Sequence, residues 1–578
     1  MSIKIRNGRH EQPAAVDGAS QRAIEEQQLA GAAPDAAGEV AEVSDTFAPA
    51  GMAVETAAQT EQVVAGVAGV TGVTGVTGVA GVAGVAGVAH HEDEAELTRE
   101  DRKEVGRNVF RLAWPAIAEN ALQTLLGIVD TAVVARLGTA ALSGVGASQQ
   151  LIWVLTTALI AISMGTTVLI ARFTGARQGE QANAVLKQSI VLSLVMGLLL
   201  FPISFISHPL LSMLGLSPEA ADDGAVYLSI TMTFAVLIVF MFVAGAAMRG
   251  AGDTRTPMFV TAFINVLNAV LAVELVFGGA KASGILTGWL GGLGLPVQVP
   301  GLSFIPEMGV AGSAWATVIA RGIGSFILLA LLMRPHGFLR IWRAGSWLPN
   351  FDLIGRMMRI GIPSAVEQML MSLGILVYSF IVIGMGELIF ATSRLALNAV
   401  FLSQMPGFGF SMAATTLVGQ SLGAKRPRRA ILGSQLATRS ALVWMTIMGV
   451  VFFFFGEPIL RIFTDDPRLL KLGADALKVI AFSQPFLAVA FVVAGSLRGA
   501  GDVKYPMWVT TLSVWAVRLP TGAFLGLPVV CLPFTNVCLP GLGLGLQGIY
   551  AALIVEAGIR AVLFVKRFNE GKWKTMKV

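Results

Sequence analysis

Long apolar runs alternate with short polar connections from about residue 109 to the end of the chain. Each run has about 20 or more residues, enough for an α-helix to cross the hydrocarbon core of a bilayer. The backbone of such a span must satisfy its own hydrogen bonds, which favours helices. The pattern predicts an all-α polytopic membrane protein with twelve transmembrane helices, near residues 110–137, 144–171, 188–206, 224–247, 257–278, 309–333, 358–385, 395–421, 433–455, 476–496, 506–527 and 546–565.

The composition agrees with a bilayer environment and excludes an ordinary soluble domain. Of the 578 residues, 54% are hydrophobic and 13% are charged, whereas soluble domains carry about 25% charged residues. The chain contains two cysteines, Cys531 and Cys538, so neither a disulfide framework nor a thiolate metal cage is expected. Both cysteines fall in one connection, and a disulfide and two free thiols are equally compatible with the sequence.

Lysine and arginine are concentrated in alternate connections, which predicts the orientation of the chain. Basic residues occupy 172–177, 249–255, 334–343, 425–429 and the tail 566–574. Positive charge stays preferentially on the cytoplasmic side of a membrane. We therefore predict a plasma-membrane protein with both termini in the cytoplasm.

The N-terminal segment differs from the rest. Residues 1–104 are predicted to be a low-complexity, disordered cytoplasmic tail. Within it, residues 63–89 repeat a Gly/Val-rich triplet without charge. Because Gly and Val are poor helix formers, a flexible tether is favoured over a membrane-inserted segment.

An internal repeat divides the remaining chain. RGAGD occurs at 249–253 and again at 498–502, and Pro115 and Glu119 recur as Pro363 and Glu367, 248 positions later. The predicted domains are an N-lobe at 105–335 (spans 1–6), a cytoplasmic linker at 336–357 and a C-lobe at 358–578 (spans 7–12). Six spans per lobe make the repeats parallel, and such transporters bind substrate around a central cavity between the lobes. Within each RGAGD turn, glycines are expected to end one helix, with Thr256 and Pro257 starting the next.

Ionisable residues inside predicted spans are the functional candidates, because a charge in the membrane is costly. Glu119, Gln123 and Asp130 fall on one face of span 1 at helical spacing. Tyr378 occupies the place of Asp130 in the second repeat, so the lobes differ chemically. Burial favours the protonated form of a carboxyl group, and oxygen ligands suit hard cations. Both H⁺ and Na⁺ are compatible with such a group as the coupling ion, and no organic cofactor is expected.

The quoted motifs resemble the multidrug and toxic compound extrusion (MATE) family over residues 105–575. The resemblance rests on Pro115, Gln123 and Asp130 in span 1, on the RGAGDTRTPM turn, on GVAGSAWATV at 309–318 and on the ending KRFNEGKWK. It implies secondary antiport of amphipathic organic cations by alternating access. It also implies a cation-coupling site at Asp130, Asn268 and Thr317. This is the only place where the sequence suggests a metal ion, Na⁺.

The resemblance is incomplete at one ligand position. Family members of this type carry a second Asp four residues after the span-5 Asn, whereas this chain has Ala272 there. This departure weakens the case for Na⁺ and favours H⁺. Tyr227 resembles a cavity tyrosine of the family, and a working carboxylate in span 7 of some relatives corresponds to Glu367. The predicted substrate cavity thus comprises Glu119, Gln123, Tyr227 and Glu367.

Other functions are less compatible with the sequence. No Asp-rich pair for Mg²⁺ lies in a span and no GxxxxGK[ST] loop occurs, which disfavours a membrane enzyme and an ATP-driven pump. A flippase for lipid-linked precursors, of the same superfamily, is the alternative, although few arginines lie in mid-span. The expected partners are the lipid bilayer and small organic cations, without nucleic acid, and the expected state is a monomer.

Overall fold

The computed structural model describes residues 98–292, 306–334, 338–342, 346–531 and 538–576. The Gly/Val-rich repeat and most of the predicted tail lie outside these residues. The first helix begins at Arg99, inside the predicted tail, because Thr98 and Asp101 form a capping box. The tail prediction is therefore wrong for residues 99–104, which are helical.

The described chain is almost entirely helical, as predicted. Within the described residues, nine helices are long and apolar enough to span a membrane, or up to eleven if each of two bent pairs is counted as one span. The helices are α1 (Arg99–Ala135), α2 (Thr139–Gly175), α3 (Gly179–Leu200), α4 (Ser207–Ser212), α5 (Pro218–Thr233), α6 (Ala235–Ala251), α7 (Arg255–Phe277), α8 (Gly279–Gly292), α9 (Gly309–Leu332), α10 (Phe351–Ile383), α11 (Glu387–Gly423), α12 (Pro427–Leu460), α13 (Pro467–Ala481), α14 (Gln484–Gly499), α15 (Lys504–Leu512), α16 (Leu519–Gly526) and α17 (Gly545–Asn569).

Three predicted spans are interrupted helices. The fourth is the pair α5 and α6, bent by 58°, and the tenth is the pair α13 and α14, bent by 53°. The eleventh is α15 and α16, joined by a π-helical turn at Ser513–Arg518. Counted in this way, the described helices account for every predicted span. The linker prediction differs in one respect, since α10 already begins at Phe351.

The two RGAGD turns share one conformation. Gly252 and Gly501 have φ of 93° and 91°, a left-handed backbone that glycine adopts without strain. The predicted helix start at Thr256 and Pro257 is wrong, because α7 begins at Arg255. The side chain of Asp253 accepts from the Thr256 amide at 3.1 Å and performs the capping role. We call the end of the bundle that carries these turns the basic end.

Two connections that the sequence predicts on the outer side contain short elements. The first includes α8, and the second forms a hairpin of β1 (Val529–Cys531) and β2 (Cys538–Pro540). Cys531 and Cys538 face each other in its register. Cys538 is disulfide-bonded, which resolves the alternative that the sequence left open.

The two repeats meet at the basic end through paired glycines. A side chain at Gly175 would overlap the Gln420 backbone, and one at Gly423 would overlap the Arg172 backbone. Both pairs follow the 248-residue offset, so the contact has an approximate twofold symmetry. Gln420 also donates to the Gly250 carbonyl at 3.1 Å. The described conformation is therefore closed between the lobes at this end.

We expect Gly423→Ala to weaken this closure, because the added methyl group has no room beside the Arg172 carbonyl. Overpacking of this kind costs about 1–3 kcal/mol. Spin labels at the exposed Gln178 and Arg426 should then report longer distances. Gly355→Ala is the matched control, since no heavy atom lies within 4 Å of that added carbon. Unchanged distances in both variants would contradict a tight glycine contact.

The C-terminal segment folds back onto the basic end. Trp573 is fully buried and stacks on Phe568 with 4.7 Å between ring centroids. The guanidinium of Arg172 donates to the Met576 carbonyl at 2.6 Å. The last described residues thus join the first repeat to the second.

Candidate functional site

Asp130 lies in the interior of the first lobe, where α1 faces α7. Its side chain is 4% exposed, and Asn268 Nδ2 donates to its Oδ1 at 2.6 Å. Among the described residues, no arginine, lysine or histidine lies within 4.0 Å of its carboxylate. The predicted pairing of Asp130 with Asn268 is therefore present as a direct contact.

Two further candidates join the same cluster. The hydroxyl group of Tyr227, on α5, lies beside Thr317 of α9 and Gln149 of α2, within electrostatic range of Asp130. Asn268 Oδ1 and Thr317 Oγ1 are buried without a hydrogen-bond partner in the described part of the chain. Buried polar atoms are normally satisfied, so Asn268 Oδ1 and, beside the Tyr227 hydroxyl group, Thr317 Oγ1 have hydrogen-bonding capacity left for an ion or a water molecule.

Arg321, an ionisable residue of the sixth predicted span, is a further component of the site, although it was not among the predicted site residues. It lies on α9, one helical turn after Thr317, and its charge acts on both Asp130 and Tyr227. The signal was present in the sequence, because i and i+4 residues share one helix face.

The position that departs from the family pattern is apolar in space as well. Ala272 is fully buried and packs in a hydrophobic cluster with Val133 and Ala316. Glu274, two residues further along α7, is also buried. The oxygen atoms of the Asp130 cluster thus come from a carboxylate, an amide and hydroxyl groups. In the described residues, no group of three His, Cys, Asp or Glu side chains forms a metal site.

Glu119 and Glu367, both predicted in the substrate cavity, form buried ion pairs at the basic end. Arg249 donates to Glu119 Oε1 at 2.8 Å, and Arg498 donates to Glu367 Oε1 at 2.6 Å. Both arginines are the first residues of the RGAGD turns. Each pair therefore ties the first helix of a repeat to its fourth span, and the sequence repeat contained the signal for this pairing.

The remaining cavity candidates are divided. Tyr227 is 3% exposed and lies near Asp130, while Gln123 is exposed and lies outside the buried cluster. The structure thus brings Asp130, Asn268, Thr317 and Tyr227 together and places Gln123 apart from them. Their roles in coupling or substrate binding stay predictions.

Comparisons with known proteins give the chain its family. The MatE family model matches residues 115–273 and 363–524, one segment in each repeat. A probable multidrug resistance protein, NorM of Thermotoga maritima, is 33% identical over 483 residues, covering 83% of this chain and 96% of the relative.

Solved structures agree with the fold. A MOP superfamily transporter from Pyrococcus furiosus superposes with a TM-score of 0.69 at 20% identity, covering 83% of this chain and all of the other. The outward-facing conformation of a multidrug resistance MATE family transporter gives 0.68 at 21% identity, with coverages of 81% and 96%. These similarities confirm the predicted fold, and the chain belongs to the MatE family of multi-pass membrane transporters.

Proposed function

We propose that the protein is a plasma-membrane antiporter that exports amphipathic organic cations in exchange for an inward-moving cation. The observation that carries this proposal is the Asp130 cluster, where a buried carboxylate without an ion pair lies among partnerless oxygens. Burying an acid within a membrane span is costly, so such a residue is by default a functional candidate. The relatives named for multidrug resistance support export of small molecules as the direction of transport.

The exchange follows from charge competition at Asp130. The carboxylate carries one negative charge, so one captured cation neutralises it and disfavours a second. A cation can shift the equilibrium between inward-open and outward-open states only if it binds one state more tightly. Asp130 on α1 and Asn268 on α7 join two helices, so a change in their hydrogen bond acts on the packing of the lobe.

The coupling ion that we propose is H⁺. The Asp130 cluster offers a single carboxylate beside an amide and two hydroxyl oxygens, and Ala272 stands where Na⁺ would use a further carboxylate. Hard cations such as Ca²⁺ and Na⁺ favour sites with many oxygen ligands. A proton needs a single acceptor, which Asp130 provides.

The choice of ion can be tested with purified protein in liposomes. We expect an imposed pH gradient to drive efflux of a fluorescent organic cation, whereas a Na⁺ gradient of equal size should leave efflux at its background rate. Liposomes without protein and liposomes with no gradient are the controls. Efflux driven by Na⁺ alone would refute H⁺ coupling, while efflux driven by neither gradient would refute antiport.

A further inference from the structure

The second lobe has its own polar cluster at the place that corresponds to Asp130. Tyr378 of α10 follows Asp130 by 248 positions and is 5% exposed. The partner of Asp130 is Asn268 on α7, so the equivalent residue on the eleventh span determines the chemistry of the second cluster.

The register of the eleventh span changes by one residue within its π-helical turn. Before the turn, Met507 corresponds to Met258, an offset of 249. After the turn, Leu525 corresponds to Leu275, an offset of 250. This correspondence follows from packing, because Gly548 lies against the Leu525 carbonyl group as Gly312 lies against the Leu275 carbonyl group. A π-helical turn accommodates one additional residue, and such turns are frequent at functional sites.

The inserted residue brings Arg518 to the position of Asn268. Its guanidinium lies over the Tyr378 ring, 5.1 Å from the centroid. The first lobe thus has an acid and an amide at this level, while the second has a phenol and a cation. The second cluster thus has the opposite charge to the first. This difference follows from Tyr378 in place of Asp130, from Arg518 in place of Asn268 and from the π-helical turn.

One donor of this cluster lacks an acceptor. Arg518 Nε is buried and has no hydrogen-bond partner among the described residues, whereas the Tyr378 hydroxyl group lies beside those of Ser393 and Tyr550. An arginine side chain has only donors, and a phenol carries one donor. The missing partner is therefore an acceptor.

The nearby carboxylates already have cationic partners. Glu556 forms an ion pair with Arg560 at 3.2 Å and accepts from Ser513 at 3.0 Å, and Glu367 is paired with Arg498. Within the described residues, no carboxylate lies within 4.0 Å of Arg518. Arg518, which is partly exposed, is therefore a cation without a carboxylate partner in the described part of the second lobe.

We propose that Arg518 and Tyr378 form a binding site for a single monovalent anionic group, either chloride or the carboxylate of an organic molecule. The guanidinium supplies charge and parallel N–H donors that match a carboxylate, and the Tyr378 hydroxyl group, which lies beside Ser393 and Tyr550, can turn to donate to the same anion. Contact with an aromatic face alone stabilises a buried cation less than a paired anion does. This site lies in the other lobe from Asp130 and goes beyond the proposed antiport.

The proposal can be tested by calorimetric titration of the detergent-solubilised protein, in HEPES–sodium hydroxide buffer, with sodium chloride and separately with sodium benzoate. We expect saturable binding with a stoichiometry near one for at least one anion. Binding to Arg518→Gln should be about thirtyfold weaker or lost, since truncation of a buried charge pair has an effect of this size. Tyr378→Phe keeps the ring and should weaken binding about tenfold.

Two variants separate anion binding from a structural role, and the two anions distinguish the kinds of ligand. Arg518→Lys retains the charge and should retain measurable binding, whereas Arg468→Gln, at an exposed arginine of the same lobe, should bind like the unmodified protein. Tight chloride binding alone identifies an inorganic ion site, and tight benzoate binding alone identifies a subsite for a substrate carboxylate. Absence of saturable binding, or equal binding to Arg518→Gln, would overturn the proposal. Neither result depends on transport, so a failed efflux assay is a separate outcome.

Discussion

Asp130→Asn is expected to reduce gradient-driven efflux roughly 100-fold, near the upper range of coupling between two bound ligands. Asparagine has the size of aspartate and can still hydrogen-bond to Asn268, but it cannot take up a proton or hold a cation by charge. The variant should therefore fold and insert while losing the exchange. The measurement is efflux of a fluorescent organic cation from proteoliposomes under an imposed pH gradient.

The matched control is Asp222→Asn, at an exposed acid of the same lobe whose ion pair with His208 lies at the surface. It should transport at the unmodified rate. Elution of both variants as a single species in size-exclusion chromatography shows that folding is intact. Full exchange by a well-folded Asp130→Asn protein would remove the carboxylate from the mechanism.

The second large effect concerns stability. Arg498→Ala should lower the free energy of unfolding by about 3–5 kcal/mol, because it leaves the Glu367 carboxylate buried without its cation. Glu367 Oε1 accepts from Arg498 at 2.6 Å and from Thr510 at 2.9 Å. The loss can be measured by unfolding in mixed detergent–SDS micelles.

Two comparisons make this result specific. Arg461→Ala breaks the exposed pair with Glu457, and surface pairs contribute only about 0–1 kcal/mol. Adding Glu367→Gln to Arg498→Ala removes the unpaired charge and should recover part of the lost stability. Equal losses for Arg498→Ala and Arg461→Ala would mean that Glu367 is hydrated, as a cavity residue would be.

The sequence predicted the helices and the repeat because each leaves a regular trace, whereas Asn268 and Thr317 were predicted beside Asp130 from the family resemblance. Apolar runs report spans, and a constant offset near 248 reports the repeat. Ion pairs between distant helices leave no such trace in one half alone. The pairing of Glu119 with Arg249 could be inferred only by noticing that both residues recur together.

Other features depend on small differences in backbone geometry that residue spacing does not resolve. The π-helical turn at Ser513–Arg518 adds one residue without a Gly or Pro to mark it. Residue spacing alone therefore does not indicate that Arg518 lies over Tyr378. The helix start at Arg255 was misplaced for a similar reason, because Asp253 and Thr256 both have capping side chains and their relative positions depend on the preceding glycine.

The hydrogen bond between Arg172 and the Met576 carbonyl joins residues 404 positions apart. Ribosomes add about 5–20 residues per second, so Arg172 is synthesised about 20–80 s before its acceptor exists. During that interval α2 has to reside in the bilayer with this guanidinium solvated by water or lipid head groups. The closed basic end thus forms only after Met576 has been synthesised, and chaperones or proteases that recognise the incompletely packed first repeat have that time in which to act.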